Sequence, residues 1–147
     1  MRRAIELAAP HRTHPNPRVG AILVDESGDV VGEGAHLGAG LPHAEMVALQ
    51  EAQDRARGST LYVTLDPCSH QGLTPPCSPA VVEAGVRRVV IGAIDPDPRV
   101  SGAGVSWLRE AGIEVETGVL EDEAGALDPA YFHHRRTGLP LVTLKTA

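Results

Sequence analysis

Apolar positions along the chain repeat with two different periods. Residues 19–25 and 30–35 are short apolar runs rich in Val and Ile, separated by Glu26-Ser27-Gly28-Asp29. That pattern predicts two strands joined by a hairpin turn. Residues 60–65, 88–94 and 113–119 are three further runs of strand length. Helical spacing lies between them. Residues 2–9 put Ala4, Ile5 and Ala8 on one side and stop at Pro10. A second helix begins near His43, with Ala44, Val47, Ala48, Ala52 and Ala56 as its apolar stripe. Residues 78–84 form a short helix closed by Gly85, with Cys77 in or just before its first turn. Residues 105–111 form another helix, stopped by Gly112. Strands alternating with helices of this length predict βαβ units, right-handed crossovers and a parallel sheet segment. The expected fold is therefore α/β, a three-layer α/β/α sandwich on a mixed sheet whose first two strands pair antiparallel. Beyond residue 120 the pattern predicts a helix over 121–127, a basic surface patch at 133–136 and one more strand over 139–144.

Composition narrows the class. A chain of 147 residues suits one domain, here residues 1–147, with a full core. Apolar content of 42% and charged content of 22% are ordinary for a globular protein. Aromatic content is only 3%, so Val, Ile, Leu and Ala must fill the interior. A net charge of −6 and a pI near 5.6 argue against a nucleic-acid partner or an anionic membrane surface. Arg2 and Arg3 lead into a stretch broken by Glu6 and Pro10, so the start holds no signal core. No apolar run approaches the roughly 20 residues of a membrane span. The expectation is a cytoplasmic protein. Its two cysteines then point to metal binding or catalysis rather than to a disulfide.

Candidate chemistry sits in two stretches, His43-Ala44-Glu45 and Pro67-Cys68 through Pro76-Cys77. The first lies in a helix's opening turn. Cys68 ends a strand, and Cys77 starts the next helix. One imidazole and two thiols with an open fourth position are the donors of a water-activating zinc. Helix N-termini favour the thiolates such an ion needs, and the carboxyl ends of strands are where open α/β sheets build sites. Glu45 is the natural proton carrier for the activated water. The pairing of H-x-E with a later P-C-x-x-C marks zinc-dependent base deaminases. Here the first half matches and the second is stretched to eight intervening residues, 69 to 76. Two rival readings remain: His70 as a fourth ligand closing a structural Cys2His2 site, or unrelated core residues. Upstream, Pro15 and Pro17 bracket Asn16 and hold it in a fixed loop.

The stretch Pro67-Cys68-Ser69-His70-Gln71-Gly72-Leu73-Thr74-Pro75-Pro76-Cys77 closely resembles the deaminase half of the riboflavin-biosynthesis pyrimidine deaminase/reductase family. The resemblance extends to Pro15-Asn16-Pro17-Arg18-Val19-Gly20, Tyr62-Val63-Thr64-Leu65, Asp95-Pro96-Asp97-Pro98 and Ala111-Gly112-Ile113-Glu114-Val115. Residues 137–147 resemble the junction to that family's reductase domain, and no dinucleotide fingerprint is found, since Gly102-Ala103-Gly104 is not G-x-G-x-x-G. The resemblance implies a cytidine-deaminase-like fold. It implies one Zn2+ per chain on His43, Cys68 and Cys77, with Glu45 as acid/base. Substrate contacts would come from Asn16, His36, His70, Thr74, Asp95 and Asp97. The implied substrate is a diaminopyrimidinone bearing a ribosylamino 5′-phosphate, and the implied assembly is a dimer or tetramer, with a separate reductase as a further partner.

Four positions depart from that family's pattern. Leu73 stands where a basic residue is usual, Asp97 replaces Asn, Ala103 replaces a basic residue and Asp66 replaces Glu. The first three remove positive charge or add negative charge near an expected phosphate. Charge-assisted bonds are each worth about 1.5–3 kcal/mol, so phosphate binding weakens unless Arg99 or Arg18 compensates. Two alternatives arise. One is a deaminase redirected to an unphosphorylated aminopyrimidine or related heterocycle. The other is an inactive zinc module that assembles with a separate reductase.

Overall fold

In the computed structural model, which describes residues 1–97, 100 and 102–146, the hairpin forms where the turn chemistry puts it. The Asp25 carboxylate accepts the backbone N–H groups of Ser27 and Asp29, each at 3.0 Å. This closes the turn between β1 (Gly20–Val24) and β2 (Val30–Ala35). Three more strands complete the sheet: β3 (Thr60–Leu65), β4 (Arg88–Ala93) and β5 (Glu114–Thr117). The sheet order is β2-β1-β3-β4-β5. β1 is antiparallel to both neighbours, whereas β3, β4 and β5 run parallel. The mixed sheet is as expected.

Alternate residues of the central strands face one main core. Ala21, Leu23, Leu61, Val63, Val89 and Ile91 pack with Ala44, Ala48 and Ala52 of α2 (Ala44–Ala52), Val81 of α3 (Cys77–Glu83), and Val105 and Leu108 of α4 (Ala103–Glu110). A smaller cluster of Leu65, Ala93 and Ala124 draws in Ile5 and Phe132. It ties α1 (Arg2–Ala8), α5 (Glu121–Gly125) and α6 (Pro129–Thr137) to the strand ends. Helices on both sides of one sheet make the three layers.

Small residues let α2 lie backbone-to-backbone on β2. A Cβ built on Gly34 would stand 2.0 Å from the Ala44 carbonyl oxygen, and one on Gly32 2.2 Å from that of Ala48. Real Cβ atoms do not approach so closely, so only glycine admits this packing. The consequence is positional: the start of α2, with His43 and Glu45, is seated directly against the sheet.

Of the two expectations at the C-terminal end, one fails. The basic residues 133–136 lie in α6, with His134 and Arg136 exposed and His133 and Arg135 half-buried. The helix starts at Asp128-Pro129, and proline suits a first helical position because its missing N–H has no partner there in any case. Residues 139–144 form no strand. Leu139, Leu141, Val142 and Leu144 are exposed, with no partner strand among the described residues. No described helix is long and apolar enough to cross a membrane.

Candidate active site

Three elements converge at one end of the sheet. His43 caps α2 with extended backbone, so its imidazole leaves the helix axis while Glu45 sits in the first turn. Beyond β3, Asp66-Pro67-Cys68 runs out toward Cys77, the first residue of α3. The Cys77 backbone N–H donates to Cys68 Sγ at 3.3 Å, and the Ser78 N–H and hydroxyl both reach the Cys68 carbonyl. The helix start thereby fixes the strand-end cysteine. From the other side, Gly104 of α4 lies so near Pro67 that a Cβ there would be 1.8 Å from its carbonyl oxygen.

His43 Nδ1 lies 3.5 Å from Cys68 Sγ and 3.3 Å from Cys77 Sγ. The donor atoms of His43, Cys68 and Cys77 all lie within 4.8 Å of one another. His70 is not in this group. It is exposed at the rim of the cavity, so the closed Cys2His2 reading fails. Electrostatics suit a cation. The Cys68 thiol is held down to about 4, first by the hydrogen bond from Cys77, with His43 and the Cys77 N–H adding to it. Cys77 starts a helix, a position that favours a thiolate. It is instead pushed up, since it donates its proton to Cys68 and is buried. Two cysteine sulfurs and an imidazole nitrogen form the soft, borderline donor set that zinc prefers.

Glu45 is buried beside them. Its carboxyl is pushed up to about 7, first by burial and further by the negative charge of Cys68. A carboxyl group that titrates near neutrality is suited both to taking and to giving a proton.

The cluster opens into a cavity of about 520 Å³. Every residue expected to touch substrate lines it: Asn16, His36, His70, Thr74, Asp95 and Asp97. Their surroundings differ. His36 Nδ1 is 3.1 Å from the Pro42 carbonyl, which fixes the proton on Nδ1, and Asn16 Nδ2 then donates to Nε2 at 3.0 Å. Burial holds this imidazole below its ordinary range, hence neutral. Thr74 has a second task. Its hydroxyl stands 3.2 Å from His43 Nε2, the ring nitrogen turned away from the thiols. An N–H donated there orients the ring. Thr74→Val is therefore expected to weaken zinc binding by ~10–100-fold, with Thr74→Ser close to the parent. Competition against a chelator of known affinity measures both.

In the wall opposite, sequence reasoning named Asp95 and Asp97 but missed Tyr131 and Arg135. Asp66 accepts the Asp95 N–H at 2.5 Å and the Gly102 N–H at 3.3 Å. Its carboxyl is pushed up to about 6, chiefly by burial. Asp95 accepts the Asp97 N–H at 2.8 Å and the Tyr131 hydroxyl at 2.9 Å. Tyr131 and Arg135 both line the cavity, four residues apart on α6 and so on one helix face. The signal for them was available in Asp128-Pro129 and Gly138, a helix start and stop. Ala103, by contrast, is not at this cavity. It lines a shallow depression with Ile94 and Arg109.

Residues 1–93 match the cytidine and deoxycytidylate deaminase zinc-binding region, and the chain belongs to that family. Within it, the chain is 50% identical over 149 residues to riboflavin biosynthesis protein RibD of Aquifex aeolicus, covering all of this chain and 42% of that protein. The structure of Acinetobacter baumannii RibD superposes with a TM-score of 0.90 at 48% identity, over 95% of this chain and 39% of that one. A Thermotoga maritima diaminohydroxyphosphoribosylaminopyrimidine deaminase/5-amino-6-(5-phosphoribosylamino)uracil reductase gives 0.86 at 46% identity, over 94% and 40%. The chain thus spans about two fifths of the length of these relatives. The resemblance found in the sequence is borne out.

Proposed function

We propose that this chain is a zinc-dependent hydrolytic deaminase whose substrate is the diaminohydroxyphosphoribosylaminopyrimidine named in its Thermotoga relative. One observation carries the reading. A buried carboxyl, Glu45, adjoins a three-donor cluster on the floor of a cavity of about 520 Å³. A closed structural site has no use for either the cavity or the acid.

His43, Cys68 and Cys77 would hold one Zn2+, which would supply a water with its pKa lowered to about 7. Glu45 takes up a proton at its carboxylate and delivers it to the departing amine nitrogen. The Asn16–His36 pair orients the ring. Because Asn16 turns its N–H2 toward neutral His36 Nε2, its carbonyl oxygen is left to accept from an amino or ring N–H of a pyrimidine. His70, exposed at the rim, and Asp97, buried in the wall, serve the ribosyl side. A cytoplasmic location, self-association as a dimer or tetramer and a separate reductase complete the reading.

The test is ammonia release by zinc-loaded protein from the phosphorylated pyrimidine, its dephosphorylated form and cytidine. Preference for the phosphorylated compound is expected. Preference for the dephosphorylated form would favour the redirected deaminase, which Leu73, apolar and exposed at the rim, supports. No ammonia from any of the three would overturn the reading.

A further inference from the structure

Among the described residues, neither the loop position of Leu73 nor Arg18 brings a basic side chain to the cavity lining. Leu73 occupies the rim where the resemblance leads one to expect a base. Arg18 is committed elsewhere: its Nε pairs with Asp128 at 3.1 Å and its Nη1 donates to the Ala9 carbonyl at 3.0 Å. Arg99 lies outside the described residues. Four acids, Glu45, Asp66, Asp95 and Asp97, line the same cavity. An anionic substrate would meet a repulsive wall.

Among the described residues, the arginine that faces this wall is Arg135. It lies on α6, well outside the matched zinc-binding region of residues 1–93. We propose that Arg135 is the specificity-determining residue that receives the substrate's phosphate, taking over from the loop position that holds Leu73. The assignment rests on the deaminase reading above and names the part of the substrate it recognises.

Geometry prepares the guanidinium for an oxyanion. Its carbon sits 5.1 Å from the Tyr131 ring centroid, and Tyr131 is itself fixed by donating to Asp95. Its Nη1 stands 3.4 Å from Asp97 Oδ2, an ion-pair distance too long for a good hydrogen bond. Its Nε is buried without a hydrogen-bond partner, and the guanidinium also hydrogen-bonds the Tyr131 hydroxyl. The group is thus held in place from two elements. A phosphate offers several oxygens to a planar fork of five N–H donors, and bidentate pairing of that kind is both strong and directional. The side chain lines the cavity and is about one-third exposed (32%). Asn16, His36 and Arg135 line one cavity, so a phosphate on the ribosyl tail of a ring held at Asn16 and His36 meets Arg135 if the tail runs toward α6. Asp97 then has a role as well: it presets the arginine and yields it to the incoming phosphate.

The experiment compares the parent with Arg135→Gln and Arg135→Lys, both zinc-loaded. The preference in kcat/KM for the phosphorylated over the dephosphorylated pyrimidine is expected to fall ~10–100-fold in Arg135→Gln. The loss should lie mainly in KM, with partial recovery in Arg135→Lys. Equal losses on both substrates would mean that Arg135 only braces Asp97, and would overturn the proposal. Calorimetric binding of the phosphorylated compound gives a readout that needs no turnover. Binding by the parent that weakens ~10–100-fold in Arg135→Gln supports the assignment even if no ammonia forms, in which case only the deaminase reading fails. Equal binding by parent and variant, or none by the parent, overturns it.

Discussion

Replacing Glu45 with glutamine is expected to lower turnover by ~10²–10⁴-fold while the zinc content stays at the parental level. The carboxyl is not among the three clustered donors, so the substitution spares the ion's ligands. Glutamine keeps the size of the side chain and so keeps the packing of a residue only 3% exposed. What it removes is the titratable proton. A carboxyl pushed up to about 7 by burial exchanges protons freely at neutral pH, and an amide does not. Metal analysis and ammonia release on the same preparation separate the two effects. If turnover survives with zinc bound, Glu45 is not the proton carrier and the mechanism fails.

Cys77→Ser should be more damaging, because it acts on the ion and on the fold together. Cys77 is fully buried, touches His43 Nδ1 and gives both its thiol proton and its backbone N–H to Cys68. Serine fits the space but brings a hard oxygen with a far higher pKa, a poor substitute for thiolate on zinc. Zinc should be lost, and activity with it. The second readout is thermal. Added Zn2+ at a thousandfold excess over its Kd stabilises the parent by about 4 kcal/mol. In Cys77→Ser that rise in Tm should disappear. A variant that still gains Tm from zinc would show that His43 and Cys68 suffice, contrary to the three-donor site.

These four residues were legible in the sequence because each lies at an element boundary with its own local signal. His43 and Glu45 come after Gly38-Ala39-Gly40-Leu41-Pro42, Cys68 after a strand of β-branched residues, and Cys77 after two prolines. The five strands were legible for the same reason. α6 was not, because His133, His134, Arg135 and Arg136 read as solvated charge. What buries one side of that helix lies far away in sequence: Arg18 on Asp128, Asp95 on Tyr131 and Asp97 on Arg135. A window that sees only neighbours cannot register them. The opposite error occurred at residues 139–144. Leu139, Leu141 and Leu144 carry strand-like apolarity, yet pairing needs a neighbouring edge, which the described residues do not supply. Thr74 was assigned to substrate alone, since nothing in a sequence reveals which ring nitrogen of His43 points outward.

The clasp between Arg18 and Asp128 joins residues 110 positions apart, with the Arg18 backbone N–H as well as its guanidinium on one carboxylate. Arg18 lies two residues beyond Asn16, and Asp128 opens the helix that carries Tyr131 and Arg135. The clasp therefore works as a caliper, setting the gap between the cavity wall that carries Asn16 and the wall on α6 that carries Tyr131 and Arg135. None of the zinc donors is part of it. The chemistry of the floor and the gauge of the mouth are borne on separate stretches of chain. A change confined to α6 can then retune which molecules enter while leaving the reaction that awaits them untouched.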